Sequence, residues 1–181
     1  MPLLYSFLFI IIIVGALAIL YVYQYNKLQH CKTKIDHSEG LIDEALRERY
    51  DLLVRADKLV KSSLKNDKTF FTGLSKVKDE DISNFDLDRK LTEYVGILEQ
   101  IKLDYSNLAN DKGFKELISD NKKTNEKLQA AKSYYNKYTS ELNDLIRQFP
   151  SNIVARMHKI DIKPFFDGKN MQDEVVDDFK F

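Results

Sequence analysis

The part of the chain that decides the fold is residues 114–149, which read FKELISDNKKTNEKLQAAKSYYNKYTSELNDLIRQF. Apolar side chains recur in it every three or four residues, as they do along one face of an α-helix. The stripe comprises Phe114, Leu117, Ile118, Leu128, Ala131, Tyr135, Tyr138, Leu142, Leu145, Ile146 and Phe149. No proline occurs between Pro2 and Pro150, and a proline inside a helix costs about 3 kcal/mol. The pattern therefore predicts one long helix that ends at Pro150.

Two similar stripes precede this helix and predict two more long helices. The first runs through Leu28, Cys31, Ile35, Ser38, Ile42, Ala45, Leu46, Leu53, Ala56, Val60 and Leu64. The second runs through Leu91, Tyr94, Val95, Leu98, Ile101, Tyr105 and Leu108. Residues 65–81 are polar and predict a turn flanking a short helix. Because the connections are short, consecutive helices should be antiparallel neighbours. The predicted fold class is all-α, an antiparallel up-and-down helical bundle.

Two asparagines interrupt the apolar stripe of the 114–149 helix. Asn121 and Asn125 occupy positions that face the bundle by spacing. They either fix the register of the helices as buried amides or face solvent at the edge of the stripe. The sequence favours neither alternative.

Residues 3–23 precede the bundle and read LLYSFLFIIIIVGALAILYVY, an apolar run of 21 residues. A helix of that length spans about 31 Å, close to the hydrocarbon thickness of a bilayer. No charged side chain occurs between Met1 and Asn26, and tyrosines lie near both ends of the run, as in the aromatic belts of membrane helices. We predict a transmembrane helix that contacts the lipid bilayer and continues into the bundle as one rod, with Gly40 as its weakest point.

The charges that flank this run predict its orientation. Lys27, Lys32 and Lys34 follow the run, whereas no lysine or arginine precedes it. The positive-inside rule then places the bundle in the cytoplasm and the short N-terminus outside. A cleaved signal peptide is the alternative, because Ala16-Leu17-Ala18 has the small-residue spacing of a cleavage site. The missing basic leader and the apolar residues beyond Ala18 argue against cleavage.

The chain changes character after Pro150. Ser151 or Asn152 is predicted to cap a short helix that reaches about His158, and an extended segment should lead into Phe165-Phe166. The tail 167–181 holds five acidic and two basic residues and is expected to be mobile, with occasional docking. The predicted domains are an anchor at 1–26, a bundle at 27–149 and a short helix with the acidic tail at 150–181.

The composition excludes several classes of protein. A single cysteine rules out an intramolecular disulfide framework, and 28 basic against 28 acidic residues remove the positive charge typical of a nucleic-acid binder. The six glycines lie at least 17 residues apart, so no glycine-rich phosphate loop exists. The sequence therefore predicts no nucleic-acid partner, no cofactor and no evident small-molecule substrate.

Side chains with catalytic or metal-binding chemistry do not assemble into a recognisable pattern. On one helix His30 and His37 would lie about 10 Å apart, too far to share a zinc ion, and Cys31 is expected to be a small core residue. Asp51 is expected to pair with Arg47 four residues earlier, on an ordinary salt-bridged face. We predict a protein that is not an enzyme and that has no catalytic, cofactor-binding or metal-binding residue.

Several short fragments, taken in order, resemble the LemA family. They are Tyr25-Asn26, Arg49-Tyr50-Asp51-Leu52, Val60-Lys61, Phe114 with Leu117, Tyr135-Asn136, Phe149-Pro150-Ser151-Asn152 and Phe165-Phe166. Their order, their spacing and their position after the apolar run make the resemblance more specific than any single fragment. Val54 and Arg55 depart from the family, which often has proline and asparagine there.

The resemblance implies a bacterial single-pass protein of the inner membrane with a cytoplasmic helical bundle and with no established enzymatic activity or cofactor. It also implies roles for the matching residues as structural positions. Tyr135 and Phe149 are expected in the seam of the bundle, and Asn26 and Asn136 should form hydrogen bonds within or near it. Residues 149–152 should end the last long helix and cap the next.

The function predicted from these observations is a non-catalytic scaffold for protein interaction at the membrane, whose partner is unknown. One alternative is a self-associating protein that organises the membrane. Another is an accessory subunit of a membrane enzyme or protease system, in which the partner carries the chemistry.

Overall fold

A computed structural model describes residues 2–64, 70–77 and 82–166 of the chain. Within these ranges it contains six α-helices and no strand. The helices are α1 (Pro2–Leu64), α2 (Leu74–Val77), α3 (Asn84–Asp104), α4 (Ser106–Asn110), α5 (Lys112–Arg147) and α6 (Ser151–Met157). The predicted all-α helical bundle is confirmed.

Helix α1 is one continuous helix with two different surfaces along its length. Side chains 3–23 are exposed, whereas Leu28, Ile35 and Leu46 further along are buried. The helix passes through Gly40 without a break, as predicted for a single rod. Among the described residues, α1 is the one helix that is long and apolar enough to cross a membrane.

The chain divides into two compact units. Unit 1 is formed by the described residues within Met1–His37 and Tyr134–Phe181. In this unit the first part of α1 lies against the end of α5, where the rings of His30 and Tyr138 meet at 6.1 Å. The extended residues after α6 follow α5 in the opposite direction, since Lys163 bonds to Asn143 and Phe166 to Asn136.

Unit 2 consists of Ser38–Ser133 and holds the later part of α1, the three helices α2 to α4 and the first part of α5. Its core contains Leu46, Ala56, Leu91, Leu98, Phe114 and Leu128. Local hydrogen bonds start the helices. Ser83 caps α3 by accepting from the backbone N–H of Asp86 at 3.1 Å, and Asp111 accepts from the N–H of Phe114 at 2.9 Å at the start of α5.

The turn before α2 requires a glycine at position 73. Its φ of +88° is a left-handed conformation that side chains rarely adopt. A Cβ there would also lie 3.3 Å from the hydroxyl of Tyr94, which donates to the carbonyl of Thr72 at 2.9 Å. The glycine therefore lets α3 approach the turn closely.

Three predictions about local structure are wrong. Phe149 is not in the seam, because 80% of it is exposed. The residue that caps α6 is Pro150, without a side-chain hydrogen bond, so neither Ser151 nor Asn152 acts as the cap. Arg47 pairs with Asp43 at 3.0 Å and not with Asp51, because the preceding turn brings an equally spaced carboxylate within reach.

Other predictions lie partly or wholly outside the described residues. They concern the tail 167–181 and most of the polar stretch 65–81, of which the structure describes 70–77. The predicted domain bounds 1–26, 27–149 and 150–181 remain a prediction.

Candidate functional site

A buried arginine organises the polar interior of unit 2. Arg49 on α1 is 3% exposed. Its Nη1 donates to Asp88 Oδ1 at 2.9 Å and to Thr92 Oγ1 at 3.2 Å, both on α3. Its Nη2 donates to Asn125 Oδ1 on α5 at 2.6 Å. One guanidinium group thus joins three helices of the same unit.

This arginine is paired with a carboxylate inside the unit, that of Asp88. Asp88 receives a second cation, the ammonium group of Lys132 on α5. Burial lowers the pKa of the Arg49 guanidinium from its ordinary value, and the attraction and hydrogen bond of Asp88 oppose that shift. Because an arginine remains protonated in proteins, the group acts as a permanent charge that needs its carboxylate partner.

An open groove of about 640 Å³ lies beside the arginine. Its charged lining consists of Arg49, Lys102, Lys115 and Lys122 against Glu99. Val95 and Ile118 add half-buried apolar surface. The Nε of Arg49 and the Oδ1 of Asn121, both buried, have no hydrogen-bond partner among the described residues. The groove is therefore basic and contains unsatisfied polar atoms.

A second depression of about 530 Å³ in unit 2 has a balanced charge. Glu48, Asp51 and Asp120 face Arg55, Lys123 and Lys127 in its lining. Glu48 already accepts from Lys127 at 2.9 Å. This depression has no evident preference for the charge of a ligand.

In unit 1, three asparagine and tyrosine side chains of α5 hold the extended residues that follow α6. Asn143 donates to the carbonyl of Lys163 at 2.8 Å and accepts from its N–H at 3.0 Å. Asn136 accepts from the N–H of Phe166 at 2.8 Å. The Tyr135 hydroxyl donates to the carbonyl of Pro164 at 3.3 Å, and its ring meets that of Phe166 edge-on. The structure thus brings Tyr135, Asn136 and Phe166 together.

The seam position of Tyr135 and the hydrogen bond of Asn136 agree with the roles that the resemblance implied. Asn26 is exposed and has no hydrogen-bond partner within the described part of the chain. The Ser151 hydroxyl lies 2.6 Å from the carbonyl oxygen of Leu145 and 3.0 Å from that of Gln148, and its single proton is shared between these two acceptors. It therefore closes the end of α5, which is the part of its predicted role that the structure supports.

The remaining motif residues occupy separate places. Tyr25 packs against His158 in unit 1, with the two rings tilted and their centroids 4.6 Å apart. In unit 2 Leu52 and Phe114 are buried in the core, and Asp51 is exposed. Asn152 is half-buried on α6 beside Pro150. These residues support the fold and do not form one site.

The sequence prediction missed Asp88 and Thr92, the partners of Arg49. A usable signal existed, because Asp88, Leu91, Thr92 and Val95 follow the spacing of one helix face. A carboxylate beside the apolar residues of such a face favours a cation as its partner, and Arg49 lies on the stripe of α1 between Leu46 and Leu53. Asn121 and Asn125 take different roles, since the first is buried and the second is exposed and binds Arg49.

Cys31 is buried, and burial raises the pKa of its thiol. Glu141 raises this pKa further, whereas Lys27 lowers it. Over the described ranges no group of three or more His, Cys, Asp or Glu side chains could hold a metal ion. His30 instead contacts Tyr138.

The fold and these contacts define a class of protein, an all-α helical bundle whose first helix is apolar and long enough to cross a membrane. Comparison with known families adds the identity. The model of the LemA family matches residues 38–181, which is most of the chain. The protein belongs to the LemA family. Comparison with curated proteins found no match.

Proposed function

We propose that this protein is a non-catalytic scaffold, held in the inner membrane of a bacterial cell by residues 3–23, that offers its helical bundle to a protein partner. The observation that carries the proposal is the continuity of α1. Exposed apolar residues at its start lead without a break into residues that pack in the bundle. A rigid helix of this kind fixes the bundle at the membrane that holds the apolar segment.

The side of the membrane follows from charge. Lys27, Lys32 and Lys34 come directly after the apolar segment, and no basic side chain precedes it. The positive-inside rule favours a cytoplasmic bundle and an external N-terminus.

A non-catalytic role is supported by the polar groups of unit 2, which form hydrogen bonds and ion pairs with one another. Both terminal nitrogens of Arg49 donate to neighbouring side chains, and its carboxylate partner Asp88 also binds Lys132. Groups engaged in this way hold three helices together. A catalytic acid or base would instead need to reach a substrate proton.

The basic groove of unit 2 is the surface that we propose for the partner. Its exposed lysines suit acidic side chains, and its half-buried Val95 and Ile118 suit apolar ones. Protein interfaces combine contacts of both kinds, and a complementary charge speeds association and disfavours wrong partners.

The test is photo-crosslinking in cells at two positions of the full-length chain. Lys122 lines the groove, whereas Arg89 is an exposed residue of α3 outside its lining. A photo-reactive residue at Lys122 should give a reproducible adduct with a foreign protein that is absent at Arg89. Adducts only with other copies of the chain would favour a self-associating organiser of the membrane. A stoichiometric adduct with a membrane enzyme or protease would favour an accessory subunit.

A further inference from the structure

The surface around α6 in unit 1 exposes three large apolar side chains. Phe149 is 80% exposed, Ile153 52% and Met157 66%. Ile153 and Met157 are four residues apart, so they lie on the same face of α6. Phe149 comes directly before Pro150, the residue that precedes the helix. The opposite face of the helix contributes Val154 and Ala155 to the core. We call Phe149, Ile153 and Met157 the apolar foot.

The C-terminal end of α6 lies beside the end of the apolar segment 3–23. His158 follows α6, and its Nε2 is hydrogen-bonded to the hydroxyl of Tyr21, 2.6 Å away. The His158 ring also packs against the Tyr25 ring in a tilted arrangement, with a centroid distance of 4.6 Å. Tyr21 and Tyr25 stand where the apolar segment gives way to polar residues. Met157 is therefore at the level of that boundary.

The register of α5 against α1 places Phe149, the first residue of the foot, at the level of Tyr21 as well. The two helices run in opposite directions, with Tyr138 beside His30. Arg147, where α5 ends, is nine residues beyond Tyr138, which is about 14 Å along the helix. The same rise along α1, counted back from His30, leads to Tyr21. Phe149 follows two residues after Arg147 and so begins the foot near this boundary.

We propose that the apolar foot rests in the surface of the same bilayer that holds residues 3–23, in addition to the transmembrane helix itself. The side chains of Ile153 and Met157 enter the boundary between headgroups and acyl chains, as the apolar faces of interfacial helices do. Arg156 and Lys159 are exposed beside them and suit the phosphates of anionic lipids. This inference rests on the proposed membrane anchor.

A bilayer fits these observations as the partner of the apolar foot for two reasons. The foot lies beside Tyr21, where the anchor would leave the bilayer, and a bilayer has an apolar interior beneath a negatively charged surface. The contact would hold the bundle at a second point beside the transmembrane helix. A single helix can rotate and tilt, since tilt is set by packing and by interfacial anchors. The foot would restrict both motions.

Tryptophan fluorescence tests the proposal directly, because the natural chain contains no tryptophan. Single substitutions Ile153→Trp and Met157→Trp are made in the full-length chain and reconstituted into vesicles of phosphatidylcholine and phosphatidylglycerol. Some of the lipids carry bromine on their acyl chains, which quenches nearby indole rings. Ile12→Trp reports insertion of the anchor. Leu103→Trp is the matched control, since Leu103 is an apolar residue of unit 2 that is 76% exposed.

We expect brominated lipid to lower the emission of Ile153→Trp and Met157→Trp by about half or more, with a shift to shorter wavelength, because an interfacial side chain lies about 5–10 Å into the bilayer. Leu103→Trp should keep its emission. Quenching of Ile12→Trp together with unquenched Ile153→Trp and Met157→Trp would overturn the foot and leave the anchor intact. An unquenched Ile12→Trp would refute the anchor, and the foot with it.

Two further outcomes would also overturn the proposal. Equal quenching of Leu103→Trp would show that the contact with lipid is not a property of α6. A shift of Ile153→Trp to shorter wavelength that grows with protein density and is insensitive to bromine would assign the foot to a contact between copies of the chain. Circular dichroism of each variant confirms that the helices are retained, which is expected because every substituted position is exposed.

Discussion

Replacing Arg49 by methionine removes the group that joins α1, α3 and α5 in unit 2. The substitution deletes hydrogen bonds to Asp88, Thr92 and Asn125. The side chains of Arg49 and Asp88 are 4% and 14% exposed, so water replaces these contacts poorly. Breaking a buried ion pair costs about 3–5 kcal/mol. Because Lys132 still balances Asp88, we expect the lower end, about 3 kcal/mol.

The assay is thermal unfolding of the full-length chain in detergent micelles, followed by helical circular dichroism. For a chain of this size, 1 kcal/mol corresponds to a shift of about 2–4 °C in the melting temperature. Arg49→Met should therefore lower it by about 6–12 °C. Arg47→Met is the control, since Arg47 is on the same helix and pairs with Asp43 at 3.0 Å but is 77% exposed. It should cost less than about 0.5 kcal/mol.

A third variant separates the charge from the packing. Asp88→Asn leaves Arg49 buried without its carboxylate and beside Lys132, so it should destabilise at least as much as Arg49→Met. If Arg49→Met and Arg47→Met shifted the melting temperature equally, the buried network would not stabilise the fold and the reasoning would be refuted.

Three other predictions concern the core, the thiol and the extended segment. Phe114→Ala should cost about 3–5 kcal/mol in the same unfolding assay because Phe114 is buried, whereas exposed Phe149→Ala should change stability by less than about 0.5 kcal/mol. Cys31 should be alkylated far more slowly in the folded chain than in denaturant. Burial, which raises the pKa of this thiol, disfavours the thiolate in the folded chain. Ionisation of Cys31 should therefore lower the stability of the fold as the pH rises from the pKa of the unfolded thiol through the folded value. Asn143→Ala should speed amide exchange at Lys163 by about tenfold or more, because the N–H of Lys163 loses its acceptor. Equal alkylation rates or unchanged exchange would contradict these two predictions.

The long helices could be predicted from the sequence because their signals are local. The stripe from Leu28 to Leu64 and the absence of proline specify α1, and the stripe from Phe114 specifies α5. The helices within residues 82–110 were harder to predict from the sequence. Helix α3 ends before Tyr105 and α4 begins after it, although the apolar spacing continues through Leu108. Apolar periodicity could not predict this break, because a single non-helical residue leaves the spacing unchanged.

The site could be predicted only in part because its contacts join residues far apart in the chain. The resemblance pointed to Arg49, Tyr135 and Asn136, and each has a structural contact. It did not indicate their partners. The exposure of Phe149 could not be read from spacing, since its position continues the stripe of α5 but the helix has already ended at Arg147.

The central claim is that residues 3–23 hold this helical bundle in a membrane. Alkaline carbonate washing of membranes from cells that express the full-length chain, or a chain lacking residues 1–26, tests it most directly. We expect the full-length chain to stay in the pellet, because a transmembrane helix is not released by high pH, and the shortened chain to appear in the supernatant. Release of the full-length chain by carbonate would contradict the claim.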